Sequence, residues 1–479
     1  MKRLFDLRKR AAALCALLAL AALGACGGGG AVGSGGTGYG NTGVAIGTVN
    51  GFGSVIVDGV AYDDRNAPVV SEVAPGVDAL SEVLLGDRVA IEYATAGVAS
   101  LVRVDTALSG PVTTSVAAGR FSMLGQTVTV NTGTGSGPTT QFGGGYAKAS
   151  DVRAGDPVDV QGLLVQQGSS YVVQATRVDK LATPPTYLRV SGLVSGLTTG
   201  GAPTFALAAL SVDGAGASLL PSGTALANGQ AVTVLALPAT LMISGAGAPQ
   251  LRAAQIRVRA LRGGGLDDYV SGTVSQLDAQ AHTLMLGALK VNYSGATVTP
   301  PAPALADGQY VQVRGMIAID GSLTATSIAI RDAETDNEAE LHGNISAFDA
   351  AANRFTVRGV VVDASGASLL GCPAGGLADG LYVEVAGSLG SAGVVAQTIQ
   401  CANEPLGGTV EREGVASAVD IAAMQFTLTT QAGTALTVAW TATTYFGGGT
   451  PQTLTGKPLQ VLGSLVNGVL VASKVKIDE

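Results

Sequence analysis

Apolar and polar residues alternate in short runs along the whole chain. In the clearest run, Tyr310-Val-Gln-Val-Arg314, Val311 and Val313 would point inward while Gln312 and Arg314 would point outward. Half-buried antiparallel β-strands have this period of two. Equivalent runs occur at 89–91, 158–160, 232–234, 383–385 and 459–461. The pattern therefore predicts strands spread over the entire chain.

Each run belongs to a longer unit that occurs six times. The units open with a Gly before an apolar strand, at Gly47, Gly110, Gly192, Gly272, Gly343 and Gly414, and these glycines are 63 to 82 residues apart. A second Gly follows 36 to 45 residues later, at Gly86, Gly155, Gly229, Gly308, Gly380 and Gly456. Such regularity predicts a string of repeats. Their predicted bounds are 45–109, 110–188, 189–264, 265–335, 336–406 and 407–479.

The fourth repeat gives the expected fold of one unit. Strands are predicted at 270–274, 283–286, 289–293, 310–314 and 321–330, with an irregular stretch containing Pro300, Pro301 and Pro303 before the fourth. Five strands with an irregular third connection have the rhythm of an OB-like barrel. The chain is thus predicted to be all-β, with about six small five-stranded OB-like β-barrel domains in tandem.

Two segments of the first repeat carry a family resemblance. GTVNGFGSVIVDGVAYD at 47–63 and LLGDRVAIEY at 84–93 resemble an uncharacterised bacterial repeat family, a domain of unknown function that is common in exported lipoproteins. Later units match more loosely, since Gly308-Gln309 and Gly380-Leu381 replace the Gly-Asp turn. The resemblance implies a fold and a location. It implies no catalytic residues.

Composition and charge narrow the class of protein. Hydrophobic residues make up 47% of the chain, charged residues 13%, and there are 69 glycines, which suits short strands joined by turns. The first 25 residues carry a net charge of +4, so removing them from the total of −8 leaves −12. An acidic surface repels phosphates, and nucleic-acid binding is not expected.

The N-terminus is typical of an exported protein. A basic segment precedes the apolar run 11–22, and Leu23-Gly24-Ala25-Cys26 resembles the lipobox of bacterial lipoproteins. That resemblance implies a signal peptide over 1–25 and a lipid on Cys26, which would attach the chain to a membrane. An ordinary signal peptide and a signal anchor are the alternatives. Residues 26–44 are a Gly-rich tether, and Gly27 after Cys26 favours the outer membrane, on its periplasmic or surface face.

Apart from the lipidated Cys26, the predicted mature chain has two cysteines, Cys372 and Cys401, both in the fifth repeat. An exported chain favours a disulfide between them, with free thiols or a metal site as alternatives. In the chain-entropy model, such a cross-link contributes about 3–4 kcal/mol.

The remaining polar positions have structural interpretations. The residue after the mid-repeat Gly varies (Asp87, Asp156, Gln230, Gln309, Leu381, Lys457), which a turn tolerates and shared chemistry does not. The carboxylates at 332–340 and the pairs Asp63-Asp64 and Asp267-Asp268 are interpreted as solvated linkers, with calcium binding as the alternative. No metal or other cofactor is expected.

Trp440, Tyr445 and Phe446 lie close together in the last repeat. Core packing is the favoured interpretation, and a carbohydrate-stacking platform is the alternative. No catalytic residues are predicted, because the chain has no metalloprotease, serine-hydrolase or phosphate-loop motif.

The sequence therefore predicts a lipid-anchored, non-enzymatic scaffold, spacer or binding array of the cell envelope. Its partner would be an envelope polysaccharide or protein. The main alternative is a periplasmic or surface protein that binds glycans or solutes in barrel grooves. A hydrolase with a site at a repeat interface is a weaker third possibility.

Overall fold

The computed structural model describes residues 42–477, except 169, 244–247, 260, 262–266, 319, 403–408, 431–432 and 467. Six barrels follow one another along this part of the chain.

Barrel 1 contains β1 (Gly43–Phe52), β2 (Val55–Val57), β3 (Val60–Tyr62), β4 (Val69–Ala74), β5 (Val77–Leu80), β6 (Arg88–Tyr93) and β7 (Leu101–Val104). Barrel 2 contains β8 (Leu108–Ala117), β9 (Arg120–Met123), β10 (Gln126–Val130), β11 (Gln141–Gly143), β12 (Pro157–Gln167) and β13 (Ser170–Lys180). Barrel 3 contains β14 (Leu188–Thr198), β15 (Thr204–Leu207), β16 (Leu210–Asp213), β17 (Ser218–Leu220), β18 (Ala231–Ala236), β19 (Gln250–Arg252) and β20 (Gln255–Val258).

Barrel 4 contains β21 (Asp268–Asp278), β22 (Thr283–Leu286), β23 (Leu289–Asn292), β24 (Thr297–Thr299), β25 (Tyr310–Ile317) and β26 (Leu323–Ile330). The short helix α1 (Ala333–Asp336) leads into barrel 5, which contains β27 (Glu338–Asp349), β28 (Arg354–Val357), β29 (Val360–Asp363), β30 (Ser368–Leu370), β31 (Tyr382–Gly390) and β32 (Gly393–Cys401). Barrel 6 contains β33 (Thr409–Asp420), β34 (Gln425–Thr430), β35 (Ala435–Ala439), β36 (Tyr445–Gly447), β37 (Pro458–Val466) and β38 (Val469–Ile477). Short 3₁₀ turns lie at Ala149–Asp151, Pro238–Thr240 and Pro451–Thr453.

Barrel 2 illustrates the shared topology. Strands β8, β9 and β10 form an antiparallel meander. β10 then pairs in parallel with the last strand, β13. β13 pairs antiparallel with β12, and β12 returns to β8 to close the barrel. This strand order is that of an OB-like barrel, as predicted. Barrels 4, 5 and 6 repeat the parallel pairing of third and last strands.

The turn before the fourth core strand is the same in all six barrels. Its Gly has a positive φ of 76° to 89° and donates its N–H to a first-strand carbonyl at 2.8 Å. A side-chain oxygen of the next residue accepts the N–H of the residue three earlier at 2.8–3.1 Å in four barrels, at Asp87, Asp156, Gln230 and Gln309. At Leu381 and Lys457 the turn has only its backbone hydrogen bond, from the N–H of that residue to the carbonyl oxygen three residues earlier. The position therefore has a turn role.

A second glycine bends the fourth core strand in four barrels. A Cβ on it would lie 2.1–2.5 Å from a carbonyl oxygen of the last strand, at Gly162, Gly315, Gly387 and Gly463. Each also marks a register shift between those two strands. A β-bulge of this kind curves a strand around a small barrel.

The barrels pack on one another, which the repeat pattern did not predict. β1 pairs in parallel with β21 and with β27, and β8 pairs antiparallel with β14. Barrels 2 and 3 share one hydrophobic core and barrels 1 and 5 share another, whereas barrels 4 and 6 each have their own. The array is therefore more than a string of separate domains.

Barrel 1 lies at the centre of these contacts. It forms a hydrogen bond or ion pair with each of the other five barrels. In order from barrel 2 to barrel 6, the pairs are Leu85–Arg177, Glu72–Arg189, Arg88–Ser271, Asn50–Glu338 and Glu82–Lys474.

Barrel packing also changes the predicted face of β25. Val311 and Val313 are fully buried, and Arg314 is exposed, as predicted. Gln312 was predicted to face solvent, but it is buried because its Nε2 donates to the carbonyl oxygen of Asp58 in barrel 1 at 3.0 Å. No helix among the described residues is long and apolar enough to cross a membrane.

Candidate functional site

A cavity of about 300 Å³ lies where barrels 1, 5 and 6 meet. Barrel 1 contributes the segment after β3, including Asp64 and Arg65, and the segment 81–83. Barrel 5 contributes Arg358. Barrel 6 contributes Tyr445 and several hydroxyl side chains, Thr441, Thr443, Ser464 and Ser473. The volume is at the lower end of the range for small-molecule sites.

The backbone of barrel 5 holds Arg358 at the cavity wall. Arg358 and Gly359 form the two-residue turn between β28 and β29, with φ values of 53° and 76°. Hairpin turns with two positive φ values match the strand twist. The Arg358 N–H donates to Oε2 of Glu411 in barrel 6 at 2.6 Å, which fixes the turn against the neighbouring barrel.

Two of the cavity's cations have ion-pair partners. Arg65 forms a salt bridge with Asp63 at 2.6 Å, and Lys474 forms one with Glu82. Asp64 and Arg358 differ from them. Among the described residues, neither side chain has an ion-pair partner within 4.0 Å.

Burial acts on both of these charges. It raises the pKa of the Asp64 carboxyl, an effect that the positive charge of Arg358 only partly opposes. It lowers the pKa of Arg358, although the charges of Asp64 and Glu411 act in the other direction. The cavity therefore holds one acidic and one basic group whose charged forms are poorly solvated.

The three predicted aromatic residues do not form one platform. Trp440 is 7% exposed, and its ring packs against Phe426 and Phe446 with centroids 6.0 Å apart in each case. Phe446 packs against the same core. Two of the three rings therefore belong to the barrel core. Tyr445 alone faces the cavity, and its burial raises the pKa of its hydroxyl.

Two further predicted positions lie away from the cavity. The sulfur atoms of Cys372 and Cys401 are bonded, and their Cα atoms are 4.7 Å apart. The bond ties the segment before β31 to the end of β32. Cys26 lies outside the described residues.

The carboxylate clusters interpreted as solvated linkers are partly buried. Asp268 is fully buried and accepts the N–H groups of Val44 and Ile317 at 3.0 and 2.9 Å. Asp336 is 3% exposed and accepts the Gly137 N–H at 2.7 Å. The interpretation was wrong for these two because each carboxylate binds backbone at a barrel junction. In the described part of the chain, no His, Cys, Asp and Glu group of three or more could hold a metal ion.

The residues around the cavity were mostly missed by sequence reasoning. Asp64 was interpreted only as half of a solvated pair, and Arg358 was not singled out. The turn position of Arg358 corresponds to Asp58 in barrel 1 and Leu124 in barrel 2, all with φ near 50°. No shared chemistry links these residues, so only the packing of barrels reveals the site.

A second, wider cleft of about 770 Å³ lies between barrels 2 and 5 beside α1. Hydrogen bonds cross this cleft. The Thr139 N–H donates to Oδ1 of Asn337 at 2.8 Å, and the Phe142 N–H donates to the carbonyl oxygen of Ser391 at 3.3 Å. Peptide groups and small polar side chains dominate its walls.

Comparison with known proteins identifies the repeat. The family model for a domain of unknown function (DUF5666) matches residues 109–179, 271–329 and 342–400. These three segments belong to that uncharacterised family. They correspond to barrels 2, 4 and 5, so the DUF5666 repeat in this chain is an OB-like barrel of five core strands and one additional short strand.

Other comparisons add little. No curated protein matches the chain. Among solved structures, the chain is similar to the Drosophila Unr CSD456 structure at 15% identity, with a TM-score of 0.13 and coverage of 44% of this chain and 97% of that chain.

Proposed function

We propose that this protein is a non-enzymatic scaffold of the cell envelope, anchored by a lipid on Cys26. The observation that carries the proposal is the central place of barrel 1, which bonds to all five other barrels. Packing of this kind favours a scaffold or binding array over an extended spacer. The positions that recur among the repeats are turn and bulge glycines, which serve the fold.

Anchoring is tested with a Cys26→Ser variant. The wild-type chain should incorporate labelled palmitate and sediment with outer membranes. The variant should lose the label and keep its signal peptide, because cleavage before residue 26 follows lipidation of the cysteine. An unlabelled wild-type chain, or equal label on the variant, would contradict the proposal.

A second candidate function is binding of a glycan or another solute. The cavity between barrels 1, 5 and 6 supports it, because hydroxyl groups and Tyr445 line a space of about 300 Å³. Tyr445→Ala should abolish signals on an envelope-glycan array. The matched control is Tyr187→Ala, in the segment between barrels 2 and 3. Equal array profiles for wild type and Tyr445→Ala would exclude glycan binding at this cavity.

A further inference from the structure

Among the described residues, one cation and one anion of the cavity have no ion-pair partner within 4.0 Å. Lys474 and Arg65 are neutralised by Glu82 and Asp63. Arg358 and Asp64 face the same cavity from barrels 5 and 1, and no ion pair joins them. Their opposite signs make the site complementary to a ligand that itself carries both charges.

It is costly to shield a charge from water without a counter-ion in contact, and Arg358 and Asp64 are both half-buried. A bound ligand that supplied a carboxylate to Arg358 and an ammonium group to Asp64 would remove that cost at both groups. The guanidinium presents a planar fork that matches a carboxylate. A neutral sugar would bring no counter-ion into contact with either group, and a simple anion or amine would bring one into contact with only one of them.

We propose that this cavity binds a small zwitterion, a free α-amino acid. The proposal rests on the solute-binding function suggested above and names the ligand class for that site. A volume of about 300 Å³ accommodates a ligand of this size. The hydroxyls of Thr441, Thr443 and Ser464 favour a small or polar side chain on the ligand.

The test uses the mature chain with Cys26→Ser and measures binding by calorimetry and thermal shift. The probes are the standard α-amino acids, each compared with acetate, ethylamine, glucose and glucuronate. We expect at least one amino acid to bind, with affinity at least tenfold above that of acetate or ethylamine. If no amino acid binds, the proposal is overturned. If glucose or glucuronate binds instead, solute binding survives and only the zwitterion proposal falls.

Variants locate the binding site. Arg358→Gln and Asp64→Asn should each weaken amino-acid binding at least tenfold. Arg358→Lys keeps the positive charge but loses the planar guanidinium group, so its effect should be intermediate. The control Arg354→Gln removes a cation of the same barrel that lies outside the cavity and pairs with Asp363 at 3.1 Å, and it should change affinity less than threefold. If a variant unfolds, the site is located in the wild-type chain instead. The chemical shifts of Tyr445 are then followed by NMR while the amino acid is added. Unchanged affinity in both charge variants, or an unmoved Tyr445 signal, would overturn the proposal.

Discussion

Glu72 is the residue on which the contact between barrels 1 and 3 depends. It is 8% exposed, and its carboxylate binds Arg189 at 3.3 Å, Gln255 at 2.9 Å and Arg257. In Glu72→Gln both arginines stay buried without a counter-ion. Loss of one partner from a buried pair costs about 3–5 kcal/mol. We expect a loss of that size in the free energy of unfolding, measured by urea denaturation.

The control for this variant is Asp63→Asn. Asp63 pairs with Arg65 at the surface, where both side chains are about one-third or more exposed. Exposed pairs contribute only about 0–1 kcal/mol. Equal effects of the two substitutions would show that burial does not set the strength of the Glu72 cluster.

Asp336 gives the protein a pH dependence. Burial raises the pKa of Asp336 to about 7, against the opposing effects of the Gly137 N–H and Arg331. Because the folded-state pKa lies above the unfolded value, the folded state holds a proton that the unfolded state has lost between about pH 4 and 7. The stabilising effect is therefore complete at low pH and disappears as the pH rises through 7.

Asp336→Asn mimics the protonated form and keeps the acceptor for Gly137. We expect the free energy of unfolding of the wild type to fall between about pH 4 and 7, with at most about 1.4 kcal/mol per pH unit from this group. The free energy of unfolding of the variant should fall less steeply over the same pH range. The stability of the variant should still depend on pH, because burial also raises the pKa of Asp87 and that of Glu411 to about 7. Parallel curves for the two proteins would contradict the assignment.

Buried charges are what single-residue reasoning could not predict. Asp64 and Asp336 look like ordinary surface carboxylates, since each lies among polar neighbours in the sequence, and nothing next to Glu72 marks its carboxylate as buried. These side chains are covered by residues of other barrels that lie more than one hundred positions away. Turn residues such as Asp87 were predictable, because their role is local.

At the scale of the strand, the bulge glycine and the turn glycine of barrel 4 differ in their sensitivity to substitution. A Cβ on Gly315 would lie 2.1 Å from the carbonyl oxygen of Thr324 in the neighbouring strand. β25 and β26 would have to separate to admit it. We expect Gly315→Ala to destabilise the protein by about 3 kcal/mol or more, in the range of severe local disruptions, and calorimetry measures this.

Gly308 and Gly295 are the matched comparisons in the same barrel. Gly308 has open space around it but a φ of 88°, so Gly308→Ala should cost about 1–2 kcal/mol through backbone strain. Gly295 has open space and no left-handed backbone, so alanine there should be close to neutral. A different order of the three variants would contradict this account of the barrel.

Strand number and strand rhythm were predictable because alternation reports local half-burial. The five strands predicted for barrel 4 all exist there, and β24 is an additional short strand in the irregular stretch. The burial of residues on the outward face of a strand was not predictable. Gln312 obeys the alternation, yet a second barrel covers it.

At the scale of the whole molecule, the cores predict which barrels fold alone. Barrel 6 has its own buried core, including Phe426, Trp440 and Leu470. Barrel 1 shares its core with barrel 5, since Phe52 and Leu341 belong to one cluster. An isolated 409–477 fragment should therefore show a cooperative thermal transition, and an isolated 43–104 fragment should not. A fusion of 43–104 with 338–401 should recover the transition.

Either of two results would contradict this division. One is a stable 43–104 fragment with dispersed amide signals in an NMR spectrum. The other is an unfolded 409–477 fragment, which would mean that barrel 6 depends on its contacts with barrels 1 and 5. The repeat count was readable from the sequence, but this partition was not, because it depends on pairings between distant strands.

The parallel pairing of β1 has a consequence for biosynthesis. β1 leaves the ribosome early, yet it pairs with Tyr269 and Val270 of β21 and with Glu340 and Leu341 of β27. More than two hundred residues must be made before the first of these partners exists. Of these six barrels, the first along the chain is thus among the last to be completed, and its open strand edge must be kept from neighbouring nascent chains until then.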